Sequence, residues 1–271
     1  MAGRGSSLVD ILNPGPCRLG EGPVWDERNQ SLLWVDILDG QVYRQEPASG
    51  ETRITPTGED VGCVFLTRET DWVVAALRSG WHWLQLASGR SRLISNPEPS
   101  RPDSRFNDGA VDARGRIWTG TLEDGEQRPV GGLYRLDPDN RTLTMDEGFL
   151  CSNGIDWSTD GEWLYFVDSR QDAIFRYRYD LDTGSIGKRE LFVDTRTFAG
   201  VPDGIAVDAE GLLWCAFWDG AALRAFASDG KPVFTIPLPA LRPTSLCFGG
   251  TDMSATETVI QIVLTERLLR Q

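Results

Sequence analysis

The sequence predicts an all-β fold, a six-bladed β-propeller of mostly four-stranded antiparallel blades, with the sixth blade incomplete at the C-terminus. Two observations predict it. One phrase recurs along the 271 residues at intervals of about 40 to 50. Each copy also reads as a β-hairpin: a short apolar strand, a polar Asp-x-x-Gly turn, and a second strand opening on Trp or an aliphatic residue.

The first copy opens at Glu21-Gly22-Pro23-Val24-Trp25-Asp26, runs to Trp34, and is followed by a third strand, Gly40-Gln41-Val42-Tyr43-Arg44. A degenerate second copy starts near Val61-Gly62-Cys63-Val64. The third, residues 108–118, and the fifth, residues 203–214, are written most fully, as Asp-Gly, an apolar strand, Asp-Ala-x-Gly and Trp. Their third strands are Gly132-Leu133-Tyr134-Arg135-Leu136 and Ala221-Ala222-Leu223-Arg224-Ala225-Phe226. Between them the fourth opens at Asn153-Gly154-Ile155-Asp156-Trp157, with third strand Ala173-Ile174-Phe175-Arg176-Tyr177. A sixth, degenerate copy starts near Pro243-Thr244-Ser245-Leu246. Helix-forming composition is confined to residues 257–270, and even there Val259-Ile260-Gln261-Ile262-Val263 favours a strand. No linker divides the chain, so residues 1–271 read as a single domain.

Composition excludes several function classes. The 27 Lys plus Arg against 40 Asp plus Glu give a net charge of -13, whose field repels phosphate backbones and anionic lipid, so neither nucleic acid nor membrane is expected as a partner. Leu8-Val9-Asp10-Ile11-Leu12 is too short and too charged for a signal-peptide core, and no apolar stretch reaches the roughly 18 residues of a membrane span. The five Cys are odd in number and form no C-x-x-C pair, which argues against a disulfide framework or thiolate zinc and for a cytoplasmic setting.

The chemistry lies where the repeats depart from one another. Inner strands of a propeller run side by side around a channel, so their opening residues converge on one mouth. Those residues are Glu21, Asn107 with Asp108, Asn153 and Asp203, all carrying side-chain oxygen. Any one Asn or Asp before Gly is explained as a turn former. Four oxygen-bearing openers at equivalent points suit a hard divalent cation, Ca²⁺ or Mg²⁺ first, with Zn²⁺ or Mn²⁺ also able to bind. Asp112, Asp160 and Asp208 sit within hairpin turns and read as structural. His82, the only imidazole, lies in an apolar strand, and G-x-S-x-G, phosphate-loop and H-E-x-x-H patterns are missing.

Five phrases then carry a resemblance: Leu19-Gly20-Glu21-Gly22-Pro23-Val24-Trp25, Arg105-Phe106-Asn107-Asp108-Gly109, Ser152-Asn153-Gly154-Ile155-Asp156-Trp157, Pro202-Asp203-Gly204, and residues 242–250 from Arg242 to Gly250. In this order, across nearly the whole chain, they resemble the gluconolactonase, regucalcin (senescence marker protein) and luciferin-regenerating enzyme family. The resemblance implies a six-bladed propeller with one catalytic divalent metal and hydrolysis of sugar lactones to aldonic acids. It implies that Glu21, Asn153 and Asp203 hold the metal, that Asp203 activates water, and that Arg105, Asn107 and Glu123 contact the substrate. After Gly250 the chain departs from the family pattern, which leaves ring closure to residues 251–271 and to an added N-terminal strand at residues 8–12. The expected partner is a small sugar lactone, for a monomer or a weak self-associate through the last blade, in carbohydrate metabolism. The alternatives are a regucalcin-like Ca²⁺-binding regulatory protein, or an esterase or organophosphate hydrolase on the same scaffold.

Overall fold

The computed structural model of the protein describes residues 17–250 and the backbone of residues 259–264; the segment at residues 8–12 lies outside the described residues. Blade one is β1 (Gly20–Asp26), β2 (Ser31–Asp36), β3 (Gln41–Glu46) and β4 (Glu51–Pro56). Blade two is β5 (Val61–Leu66), β6 (Trp72–Leu77), β7 (Gly80–Gln85) and β8 (Ser91–Ser95). Blade three is β9 (Ser104–Val111), β10 (Ile117–Glu123), β11 (Gly131–Leu136) and β12 (Thr142–Phe149). Blade four is β13 (Ser152–Trp157), β14 (Trp163–Asp168) and β15 (Ala173–Asp180), with β16 (Ser185–Ile186) and β17 (Glu190–Asp194) both pairing with β15. Blade five is β18 (Val201–Val207), β19 (Leu213–Trp218), β20 (Ala222–Phe226) and β21 (Pro232–Pro237). The remaining sheet has two strands, β22 (Pro243–Gly249) and β23 (Val259–Leu264).

The all-β class agrees with expectation, but the count of six blades does not: the described residues form five blades. Among the described residues the sixth copy of the repeat supplies one hairpin, a two-stranded sheet wedged between blades five and one. On the outer strand of blade five Phe234 stacks on Trp214 yet stays 54 % exposed. The inner strands β1, β5, β9, β13, β18 and β22 nevertheless pack each against the next around the whole ring.

Local sequence explains the hairpins. The Asp112 carboxylate accepts from the backbone of Arg114 and Arg116, which forms the turn, and then from the Trp118 indole at 3.0 Å. Asp208 receives the Trp214 indole at 2.7 Å in the same way, so the recurrent Asp and Trp are one structural unit, as the turn reading of Asp112 and Asp208 expects. Asp112 also takes the Tyr179 hydroxyl of blade four at 2.7 Å and the Arg116 guanidinium at 2.6 Å. Burial opposes its charge, but the bonds from Trp118, Tyr179 and Arg116 hold its carboxyl below the usual carboxylate range. A second unrecognised signal ends the middle strands: Asp36 accepts from the backbone of Arg18 and Leu19, and Asp168 from that of Leu150 and Cys151. Each clamps the chain two residues before an inner-strand opener. All five cysteines are unpaired thiols, and among the described residues no helix is long and apolar enough to cross a membrane.

Asp112→Ala leaves an indole, a phenol and a guanidinium without their acceptor, so it should cost about 3 kcal/mol or more in denaturant unfolding at neutral pH. Because the folded carboxyl titrates low, the parent keeps this contribution above the usual carboxylate range and loses it as pH falls, and the gap between the two proteins should narrow in acid.

Candidate metal and substrate site

Every inner strand breaks register at its opening. The shifts fall between Glu21 and Val24, Val61 and Cys63, Ser152 and Ile155, Pro202 and Ile205, and Pro243 and Ser245, and β9 shifts between Phe106 and Gly109. A bulge puts two residues opposite one and re-aims a side chain. Here the bulged residues include Asn107, Asp108, Asn153 and Asp203, and Glu21 is the last paired residue before the bulge of β1, all buried. Glycine follows because neighbouring bulges touch: a Cβ on Gly154 would lie 2.5 Å from the Ile205 nitrogen, and one on Gly204 2.3 Å from Ser245 Oγ.

The carboxylates are close enough to oppose one another's ionisation. Burial pushes Glu21 well above the usual range, and Asp203 and Asp108 push it further. Burial likewise lifts Asp203, with Asp108 adding to it and the Asn153 amide easing it. Asp108 is pushed up to about 6 by burial, while Gly109 N donates to its Oδ1 at 2.7 Å. Beyond this layer a channel of about 700 Å³, lined by Asp108, Cys63, Ile155, Ile205 and Ser245 among others, continues along the inner strands. Cys63 faces Asp108 and Glu21, and burial first, then those charges, keep its thiol neutral.

Two oxygens in this layer have no partner among the described residues: Asn153 Oδ1 and Asp203 Oδ1, both buried. The Asn153 amide is oriented by donating from Nδ2 to Ser169 Oγ at 3.1 Å, which leaves Oδ1 open. Among the described residues Glu21 accepts one bond, from Gly22 N at 3.3 Å. Among the described residues no three His, Cys, Asp or Glu side chains are arranged to hold an ion. The set expected from sequence is instead two carboxylates and one amide, and Asn153 and Asp203 of that set carry the unmet oxygens. An all-oxygen donor set buried under mutual repulsion fits a hard cation.

The remaining expected residues divide. Arg105, buried, donates from Nη1 to Asn107 Oδ1 at 2.7 Å, and Asn107 Nδ2 donates to Ser152 O at 2.9 Å. Asn107 is thereby committed to positioning Arg105. Burial lowers the Arg105 guanidinium from its usual range, and the charges of Asp60 and Glu126 partly offset this. Glu123 is not brought to this group, because its carboxylate accepts from Gln127 N at 3.1 Å and pairs with Arg128 at 2.9 Å. Glu126, missed in the sequence, acts on Arg105 and Asp203 in its place and pairs with Arg170 at 2.5 Å. The only signal for it was the crowding of acidic residues at 123–126.

Comparison with known proteins follows the same residues. Residues 19–256 match the family described as SMP-30/Gluconolactonase/LRE-like region. A 6-deoxy-6-sulfogluconolactonase of Pseudomonas putida is 40 % identical over 241 residues, 88 % of this chain and 81 % of that protein. Regucalcin of Gallus gallus is 37 % identical over 256 residues, 92 % of this chain and 85 % of that protein. Among solved structures, a calcium-binding protein, regucalcin, from Agrobacterium tumefaciens superposes with a TM-score of 0.85 at 27 % identity, covering 90 % of this chain and 82 % of that one.

Raised carboxyls make the bare site a source of instability. In chelator, Glu21 and Asp203 bind protons more tightly folded than unfolded, so stability should fall as pH rises from the ordinary carboxylate range toward neutrality. Glu21→Gln should then melt above the parent at neutral pH and flatten that slope, and saturating Ca²⁺ should reverse the order of the two melting temperatures.

Proposed function

The chain belongs to the SMP-30/gluconolactonase/LRE-like family, and from that premise we propose that it is a sugar lactonase that hydrolyses aldonolactones to aldonic acids with the help of one divalent cation. The observation that carries this reading is the pair of buried, unpartnered oxygens on Asn153 and Asp203 beside a Glu21 carboxylate. The names of the relatives, a sulfogluconolactonase among them, support the substrate class.

Glu21, Asn153 and Asp203 would hold the cation, which when bound supplies Lewis-acid polarisation of the ring carbonyl and eases ionisation of water, with Ca²⁺ favoured by the oxygen donors. The protein's own residues do the rest. Arg105 is locked by Asn107 with its planar donors in a buried mouth, where it orients the lactone oxygens. Asp203 accepts the proton of the attacking water. That proton then serves the departing ring oxygen as the C–O bond opens, giving the hydroxy acid. The product is anionic at neutral pH, and a chain of net charge -13 favours its departure. Five unpaired thiols support a reducing, cytoplasmic setting.

A second reading has its own support. Relatives named regucalcin, and a structural neighbour described as calcium-binding, fit a protein that holds Ca²⁺ without turnover.

A pH-indicator assay with aldonolactones separates the two. The enzyme reading expects acid release with Ca²⁺, Mg²⁺, Mn²⁺ or Zn²⁺ that stops on chelation; metal binding without acid release would leave the binding protein. Asp203→Asn keeps a ligand oxygen but loses the base, so kcat should fall about 10² to 10⁴-fold with a much smaller change in KM.

A further inference from the structure

We propose that the channel beyond the layer of strand openers is a second binding site, shaped for a small organic cation: a primary ammonium group on a short apolar body, anchored by the Asp108 carboxylate. The site is independent of the lactonase reading. Neither the residues expected to hold the metal, Glu21, Asn153 and Asp203, nor Arg105 and Asn107 line this channel.

The channel is walled by the inner strands below their openers, and its volume of about 700 Å³ is that of a small-molecule pocket. The walls run to the ends of those strands, where Val111 closes β9 and is 42 % exposed. The channel therefore reaches solvent on the side away from the mouth.

Phe65, Ile155, Ile205, Leu246 and Phe248 make much of the wall apolar. The charges deep within it are carboxylates. Asp108 is 8 % exposed, its Oδ1 accepts Gly109 N at 2.7 Å, and its Oδ2 has no hydrogen-bond partner among the described residues. The Phe65 ring lies beside it, with its tip 2.9 Å from where a Cβ on Gly109 would stand. Asp156 adds a second negative charge, with one oxygen accepting Val207 N at 2.7 Å and the other Trp157 N at 2.8 Å. Burial pushes both carboxyls up to about 6, so both are largely ionised at neutral pH. Among the described residues the wall carries one cation, Arg28, on the turn after β1. It is spent on Asp26 and on the Thr67 and Arg68 carbonyls. The open oxygen of Asp108 thus faces an apolar space without a protein counterion.

That combination selects the ligand. An anion is repelled, and a neutral apolar molecule would take water from Asp108 without replacing it. A hard divalent cation wants six or more oxygens, which these walls do not supply. An ammonium group donates to Oδ2, is attracted to the neighbouring aromatic face, and carries a body that the apolar wall can cover.

Calorimetric titration in chelator tests this with phenethylammonium, with phenethyl alcohol as the same body without charge, and with phenylacetate. The proposal expects the ammonium to bind at least about tenfold tighter than the alcohol, and the acid not to bind. Across n-propyl- to n-hexylammonium, affinity should rise roughly threefold for each methylene, because the added groups enter the apolar channel. Asp108→Asn keeps the shape and relieves repulsion among the buried carboxylates, so it should fold, and its affinity for the ammonium should fall about tenfold. Equal binding of ammonium and alcohol, or no binding of either, would overturn the proposal. So would full affinity in a folded Asp108→Asn protein, or an affinity that does not grow with chain length, which would put the ammonium at the mouth instead. The ligand and chain-length comparisons use the parent protein alone and decide the matter even if the variant does not fold.

Discussion

The molecule is organised by the register break at the opening of every inner strand. A regular strand alternates its side chains and would bring only every second residue toward the channel. The bulge lets Glu21, Asn107, Asp108, Asn153 and Asp203 be buried together at one layer of the ring, with the hairpin pairing resumed on either side. It also sets what may stand next to them. Where one bulge meets the next, the backbone of the neighbour lies within 2.6 Å of a Cβ at Gly62 or Gly154, and the Ser245 side chain 2.3 Å from one at Gly204, so glycine is demanded there by contact and not by turn chemistry alone.

Burying like charges in this layer costs free energy, and the protein carries that cost at the site while the periphery is over-satisfied. Asp36, Asp112 and Asp168 each accept several bonds, whereas Glu21 and Asp203 have raised proton affinities and an oxygen of Asp203 has no partner. Well-bonded carboxylates hold the hairpins and the strand entries, and the frustrated ones are left for a ligand. The same division explains why an arginine as deeply buried as Arg105 is useful: fixed by Asn107, it offers a directed cation without having to be ordered when substrate arrives.

Much of this was legible in the sequence because a repeat makes its own exceptions visible. The identical Asp-x-x-Gly and Trp of copies three and five marked the scaffold, and the differing openers marked the site. What failed had physical causes. A degenerate repeat at Pro243-Thr244-Ser245-Leu246 was counted as a blade, but among the described residues it yields only a two-stranded wedge, giving five blades in place of six. The place of Glu123 in the acidic loop was not legible, because sequence cannot fix the path of an irregular loop. Here Glu123 turns back onto Gln127 and Arg128, and a left-handed residue at Glu126, φ 49°, sends its carboxylate toward Arg170. The bulges themselves were invisible, since strand propensity does not record register.

A cation held in this layer requires that the unmet oxygens of Asn153 and Asp203 be its ligands. Crystals grown with Ca²⁺ and measured for anomalous scattering would test this directly. The expected result is one peak at about 2.3 to 2.6 Å from Asn153 Oδ1, Asp203 Oδ1 and a Glu21 oxygen. A calcium peak elsewhere, with Asn153 Oδ1 and Asp203 Oδ1 bonded instead to water or to each other's donors, would contradict it.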